Sequence, residues 1–253
     1  MINHPLDSSF LNTQSEGAWS DIHVFDCLDS TNNWVKAQSL SPLVCLAEAQ
    51  TEGRGRNGNR WQSPDAQNVY LSYNWTFDQL PKNLPLLSLW VGIAVAESLE
   101  ALGIDGHGIK WPNDLYWKNK KLGGILIETS NASSTVIVGI GINVNASEID
   151  AVDQPWTSLN AVTGKPVNRN QFVASLLNKL FEFMTAFSGL NTNHLLLAWE
   201  RWDVVKGKTI SFQSHGQSLE GVARGINEQG HLLVDTGEGE AKPFNTTISR
   251  VRW

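Results

Sequence analysis

The chain has 253 residues, 41% of them hydrophobic and 17% charged, which is enough apolar material for one large domain or for a large and a small one. A formal net charge of -6 argues against a dedicated nucleic-acid binder, whose footprint is a basic surface, although Arg54, Arg56 and Arg60 cluster locally. The polar opening residues lack a secretory pattern, and no apolar run approaches the roughly 18 residues of a membrane span; the expectation is a cytoplasmic protein with no membrane partner.

In chain order, residues 1–20 read as a loose arm. Asp21–Leu28 reads as a short strand, and Ser30-Thr31-Asn32 offers capping side chains to a helix carrying Trp34 and Val35. Residues 43–49 form a compact apolar run, expected as a buried strand. Residues 53–58, three glycines among three polar residues, must be a loop. Residues 68–77 alternate, with Val69, Leu71, Tyr73, Trp75 and Phe77 on one face and Ser72, Asn74 and Thr76 on the other. A largely apolar helix is expected over residues 86–102, stopped by Gly103. Two or three strands follow, near 108–111, 121–128 and 135–144. Residues 171–187 repeat apolar side chains at helical spacing, and a further helix covers about 193–203. Beyond Val205 the texture changes to short alternating segments with turns at 214–217, 227–230 and 236–239, the pattern of a small β-barrel. The expected division is therefore an arm over 1–20, a catalytic domain over 21–205 and a barrel over 206–253. Cys27 and Cys45 both lie in apolar surroundings and read as reduced core residues.

Four stretches carry chemistry. In Gln50-Thr51-Glu52-Gly53-Arg54-Gly55-Arg56-Asn57-Gly58-Asn59-Arg60-Trp61, glycines let backbone N–H groups approach an anion while arginines add permanently charged, bidentate donors. The competing reading is a surface loop with solvated arginines. The spacing of Gly53 and Gly58 mimics a P-loop, but Asn59 and Arg60 stand where Lys and Ser/Thr are needed. Lys110, before Trp111-Pro112-Asn113-Asp114, is a compact cation at a strand end, able to meet a carboxylate or phosphate or simply to face solvent. Asn113 and Asp114 fit ordinary turn residues. Gly123-Gly124 within a strand implies close approach by a ligand or by a packed tryptophan. Gly139-Ile140-Gly141 lacks the third glycine of a dinucleotide-binding turn, since Val144 holds its place; it reads as a relaxed strand running into Asn143.

Taken in this order, Ser30-Thr31-Asn32, Gln50 through Gly58 with Trp61, Lys110 through Leu115, Lys121 through Glu128 and Gly141-Ile142-Asn143 resemble biotin–protein ligases, also called biotin–acetyl-CoA-carboxylase ligases. The resemblance runs from about residue 21 to the C-terminus, and GRGR together with KWPNDL is its most specific part. It implies an α+β fold: a mixed-sheet catalytic domain related to class II aminoacyl-tRNA synthetases, plus a small SH3-like β-barrel. It implies ATP with Mg²⁺ as one substrate and biotin as the other, with no tightly bound prosthetic group and no protein metal site. Carried over by position, Ser30, Thr31, Asn32 and Gln50 meet the biotin head group. Gly53, Arg54, Gly55 and Arg56 close over the activated carboxylate and phosphate, with Gly123, Gly124 and Asn143 completing the substrate set. Lys110 and Arg56 are the residues implied to carry catalysis. The implied acceptor is the biotin carboxyl carrier protein of acetyl-CoA carboxylase, and a weak homodimer through an edge of the catalytic sheet is implied as well. Two departures stand out. Asn57 and Asn59 occupy positions that are often basic in relatives, and about 20 residues precede the catalytic domain, so the single-function form without specific DNA binding is expected. A lipoate–protein ligase and a non-catalytic biotin-binding relative are the two rival readings.

Overall fold

The computed structural model describes residues 4–15, 18–129, 134–149, 154–214, 216–237, 239–246 and 248–253. The larger part is built on a seven-stranded sheet of β1 (Asp21–Leu28), β2 (Leu43–Gln50), β3 (Val69–Thr76), β4 (His107–Lys110), β5 (Asp114–Trp117), β6 (Lys120–Thr129) and β7 (Thr135–Ile142). The spatial order is β1-β2-β3-β7-β6-β5-β4. β1 and β2 pair in parallel and every other neighbouring pair is antiparallel, so the sheet is mixed.

Among the described residues six helices dress this sheet: α1 (Ser8–Gln14), α2 (Thr31–Lys36), α3 (Leu87–Ala101), α4 (Leu159–Thr163), α5 (Arg169–Phe187) and α6 (Thr192–Trp202). α3 is apolar around its whole circumference, with Trp90, Val91, Gly92 and Ile93 buried in succession. Such a helix has to be enclosed, and α3 packs against the sheet, α5 and α6. Residues Leu84–Ala101 have the length of a membrane span, 18 residues at mean hydropathy 1.4, but 67% of that stretch is buried inside the molecule and it serves as the core helix. Gly103, at φ +73°, ends it in the left-handed conformation expected of a C′ glycine. α2 lies on the opposite face, where Val35 packs with Leu43, Cys45 and Ile137.

A second, five-stranded antiparallel sheet holds β8 (Thr209–Ser214), β9 (Gln217–Ile226), β10 (Leu232–Asp235), β11 (Lys242–Phe244) and β12 (Ser249–Arg252), in the order β11-β10-β9-β8-β12. The whole is an α+β fold with a small SH3-like C-terminal unit. Of the expected turns, 227–230 joins β9 to β10 with Gly230 at φ +75°; the other two include His215 and Glu238, which lie outside the described residues. Trp111 ties the two sheets together by donating its indole N–H to the Gly230 carbonyl at 2.9 Å.

Three expectations needed revision. Residues 1–20 are not simply a loose arm, because α1 is capped by Asp7 and Leu6, Leu11 and Trp19 are buried. Glu48 and Arg169, both buried, form an ion pair that accepts the Leu6 N–H and donates to the His4 carbonyl. Met1, Ile2, Asn3, Glu16 and Gly17 lie outside the described residues. On the polar face of β3, Ser72 and Asn74 are buried, finding partners beneath α2 and the 40–43 segment, and Thr76 alone is exposed. Cys45 is buried, and burial pushes its thiol pKa up, whereas Cys27 is exposed near the end of edge strand β1.

Candidate active site

The sheet register assembles the site. Pairings Tyr70↔Gly141, Gly141↔Gly124, Gly124↔Asp114 and Asp114↔Lys110 place five residues in one row across β3, β7, β6, β5 and β4. With strands about 4.8 Å apart, Lys110 stands three inter-strand steps, roughly 14 Å, from Gly141. The middle of the row is cleared of side chains, and Trp61 lies in the gap. A Cβ on Gly141 would come within 2.6 Å of the Trp61 indole, and one on Gly124 within 3.5 Å. In the neighbouring row a Cβ on Gly139 would meet Asn32 Oδ1 at 2.2 Å. Gly139 and Gly141 are therefore close-approach positions for Asn32 and Trp61, whereas Gly124 stands in ordinary contact with Asp114 and Trp61. The result is a cleft of about 1100 Å³ along the row.

One end of the cleft is a buried polar pocket. Ser30, at the N-cap of α2, Thr31, Asn32 and Ser72 are all buried. The Thr31 N–H and hydroxyl both donate to Gln50 Oε1, at 2.9 and 3.1 Å. Ser72 Oγ lies 2.7 Å from Thr31 Oγ1 and 2.6 Å from Asn32 Oδ1, with one proton to give. Asn32 Nδ2 donates to Glu128 Oε2 at 2.7 Å, and Gln50 Nε2 to Ser63 Oγ at 3.0 Å. Asn143 is buried further along, donating to the Thr157 carbonyl at 3.1 Å.

The other end is cationic. Residues 53–61 fold back as a narrow hairpin, with Gly55 N–H on the Asn59 carbonyl at 2.7 Å and Trp61 N–H on the Gly53 carbonyl at 2.9 Å. Asn57 and Gly58 take the left-handed conformation at its exposed tip. Both arginines have partners within the molecule, and Arg54 keeps the partly solvated ion pair of the surface-loop reading. Arg54 donates to Glu128 Oε2 at 3.0 Å, and Arg56 donates to Asn113 Oδ1 and to the Thr246 carbonyl, each at 3.1 Å. Burial lowers the Arg56 pKa, with Asp114 opposing. Lys110 Nζ lies 3.4 Å from the Tyr116 hydroxyl and 5.1 Å from the ring centres of both Tyr116 and Trp253. Burial pushes its pKa down to about 8, against the pull of Asp114. Asp114 itself pairs with Lys121 at 2.8 Å.

Of the residues expected at the site, Ser30, Thr31, Asn32, Gln50, Arg54, Gly55, Arg56, Lys110, Gly124 and Asn143 line this one cleft. Gly53 and Gly123 sit behind its wall, packed against the carbonyls of Trp61 and Gly141. Sequence reasoning did not name Trp61, Asp114, Tyr116, Lys121, Glu128 or Trp253 as site residues. Asp114 and Lys121 stood inside the very stretches singled out, yet Asp114 fitted a turn equally well. Among the described residues no group of three or more His, Cys, Asp or Glu side chains is placed to hold a metal. Among the described residues buried Trp61 Nε1 finds no partner, which suits a polar ligand in the cleft.

A cleft with a polar pocket at one end, cations at the other and a glycine-floored, tryptophan-walled middle suits an amphipathic carboxylic acid activated by a nucleotide. Comparisons with known proteins agree. Residues 24–145 match the biotin/lipoate A/B protein ligase family and residues 206–246 the biotin protein ligase C-terminal domain. The biotin–[acetyl-CoA-carboxylase] ligase of Mycobacterium tuberculosis is 32% identical over 249 residues, covering 93% of this chain and 92% of that protein. The bifunctional ligase/repressor BirA of Escherichia coli is 34% identical over 231 residues, 88% of this chain and 71% of that protein. A solved biotin protein ligase from Aquifex aeolicus, in complex with biotin and ATP, superposes with a TM-score of 0.82 at 29% identity, over 92% of this chain and 99% of that one. The chain belongs to the biotin protein ligase family.

Proposed function

We infer that the chain activates biotin with MgATP and transfers it to a lysine of a biotin carboxyl carrier protein. The observation that carries this reading is the single cleft that runs from the buried pocket past Gly141 and Gly124 to Lys110. In the first step a biotin carboxylate oxygen attacks the α-phosphorus of ATP, the bond to the β-phosphate oxygen breaks, and biotinyl-5′-AMP and pyrophosphate form. In the second, the neutral amine of the carrier lysine attacks the anhydride carbonyl, AMP leaves, and the amine gives up a proton. The acid substrate lies head-inward, its polar head ring on Thr31, Asn32 and Gln50 and its chain running along the cleft beside Trp61. Lys110 meets the charge developing between carboxylate and α-phosphate, and Arg56 holds the loop over the adenylate. Positioning and charge stabilisation are most of what such a transfer needs from protein. Residues 21–205 act as the activating domain and 206–253 as its smaller companion, with 1–20 as the N-terminal arm. The acceptor is the carrier of acetyl-CoA carboxylase, supported by the name of the mycobacterial relative, and the cytoplasm is where ATP, biotin and newly made carrier meet. Edge strand β1 is the surface for weak pairing of two copies, which sedimentation across a concentration series tests.

The test is biotin-dependent exchange of labelled pyrophosphate into ATP, followed by transfer to a purified carrier domain, with lipoate in place of biotin as the control. Exchange with lipoate but not biotin rejects the substrate. Binding of biotin with no exchange makes the protein a non-catalytic relative.

A further inference from the structure

Lys110 belongs to the larger unit, but one of its two aromatic neighbours comes from the end of the smaller one. Trp253 follows β12, and its ring centre lies 5.1 Å from Lys110 Nζ and 5.2 Å from the Tyr116 ring centre. Tyr116 contributes the second face at the same 5.1 Å. The ammonium group thus rests against two adjoining rings, at the third corner of a near-equilateral triangle with their centres, and each aromatic face attracts a cation and shields it from water on that side. The Trp253 ring is itself fixed. Its indole N–H donates to Asn119 Oδ1 at 3.0 Å, and Lys208 Nζ sits 4.6 Å from its centre. Asn119, in the tight β5–β6 turn at φ +66°, lines the cleft. The anchor and the clamp are therefore contiguous.

We propose that Trp253 is a positioning residue for biotin activation: with Tyr116 it clamps Lys110 Nζ in the cleft, so the smaller unit completes the activating centre of the larger one. This rests on the role given to Lys110 above. A lysine has four rotatable side-chain bonds, and its selection of one place without a carboxylate partner requires walls. Asp114, the acid on the same strand as Tyr116, is taken by Lys121 at 2.8 Å. Arg252 faces Lys110 from β12 and Lys121 from β6, both of like charge, so they repel it rather than hold it. The aromatic pair and the Tyr116 hydroxyl remain as the contacts that fix it. Burial by these walls accompanies the lowered Lys110 pKa of about 8, with Asp114 acting against burial and Lys121 and Arg252 with it.

The experiment compares the parent with Trp253→Ala, Trp253→Phe and Asn119→Ala, full-length in each case. It reads kcat/KM for ATP in biotin-dependent pyrophosphate exchange from pH 6 to 10, the pH midpoint for acetylation of Lys110 by acetic anhydride without substrates, and the melting temperature. Parent exchange should fall above about pH 8 as Lys110 loses its proton. Trp253→Ala should lower neutral-pH kcat/KM by roughly ten- to a hundredfold, the scale of a misplaced catalytic group. It should also move both the alkaline limb and the acetylation midpoint upward as Nζ returns to water. Trp253→Phe, which keeps an aromatic face, should recover most of both, and Asn119→Ala should lie between. An Ala variant with parent-like rate, limb and midpoint overturns the proposal. So does a rate loss that tracks melting temperature while limb and midpoint stay in place. If the parent shows no biotin-dependent exchange, the functional reading has failed, and the acetylation midpoints still decide whether Trp253 clamps Lys110.

Discussion

The two ends of the cleft are built differently. At the pocket end, Ser30, Thr31, Asn32 and Ser72 are buried and bonded to one another, to Gln50 and to Glu128. Each group arrives from a neighbouring element of one packed sheet-and-helix unit, so its geometry is set before any ligand binds. At the cationic end, Arg56 and Lys110 are held by contacts that cross between elements, the Thr246 carbonyl beyond β11 and Trp253 beyond β12, while Arg54 shares Glu128 Oε2 with Asn32 and so links the two ends. Fixed polar networks confer selectivity because an unmatched ligand leaves a buried group unsatisfied. Cations held by partly exposed, exchangeable partners can hand those bonds over to a phosphate when one arrives. One end therefore recognises and the other reacts.

The largest expected effect attacks the reacting end. Lys110→Ala should lower the rate of adenylate formation by about 10²–10³, the usual loss for one charge-stabilising donor, with little change in melting temperature. Pyrophosphate exchange beside thermal melting checks it, and near-normal exchange would place the charge stabilisation elsewhere. Next is the recognising end. Gly139→Ala sets a methyl group against Asn32 Oδ1. Asn32 must then shift away from the head group, and losing one hydrogen bond to a ligand costs about 0.5–1.5 kcal/mol, so KM for biotin should rise by up to roughly tenfold while KM for ATP changes little; steady-state titration of each substrate reads the split.

Arg56→Gly is expected to leave activation largely intact and to loosen retention. Charge-assisted hydrogen bonds contribute about 1.5–3 kcal/mol each. Losing one on the adenylate should therefore speed dissociation of biotinyl-AMP roughly ten- to a hundredfold. Released adenylate would acylate bystander lysines, and labelling of added albumin makes that visible. An unchanged off-rate, with labelling confined to the carrier, would leave Arg56 as a structural tie to Asn113 and Thr246. With Asn57 and Asn59 at the loop tip, the parent is expected to label bystanders slightly.

The smallest effect lies away from the cleft and serves as its control. His107 is buried, stacks on Trp202 and bonds the Ala96 carbonyl, and burial lowers its pKa. A group whose folded pKa lies below its unfolded value, about 6.5 for histidine, stabilises the fold above that pH and stops doing so as the pH falls. The melting temperature should thus drop between pH 7.5 and 5, less steeply in His107→Gln than in the parent.

Much of this was legible in the sequence because periodicity and stop signals are local. The alternation of β3, the apolar circumference of α3 with its Gly103 stop and the amphipathic face of α5 all fall close to where they were expected. β5 was not anticipated: its four residues follow Pro112 and begin at Asp114, where turn chemistry and strand pairing are indistinguishable without β4 and β6 on either side. α1 escaped because its seven residues hold a single buried apolar side chain, Leu11, and its support comes from Glu48 and Arg169, far along the chain. The motif residues of the site were visible as motifs, but their division of labour was not. That Gly139 makes room for Asn32, that Gly141 makes room for Trp61, and that Lys110 touches Trp253 are facts of register and of contact between distant segments.

The most direct test of the claim that recognition and reaction occupy opposite ends is equilibrium binding of biotin alone, without ATP, to Gly139→Ala and Lys110→Ala side by side. A clear loss of affinity is expected in Gly139→Ala and nearly parent-like affinity in Lys110→Ala. Parent-like binding by the glycine variant, or an equal loss in both, would contradict it.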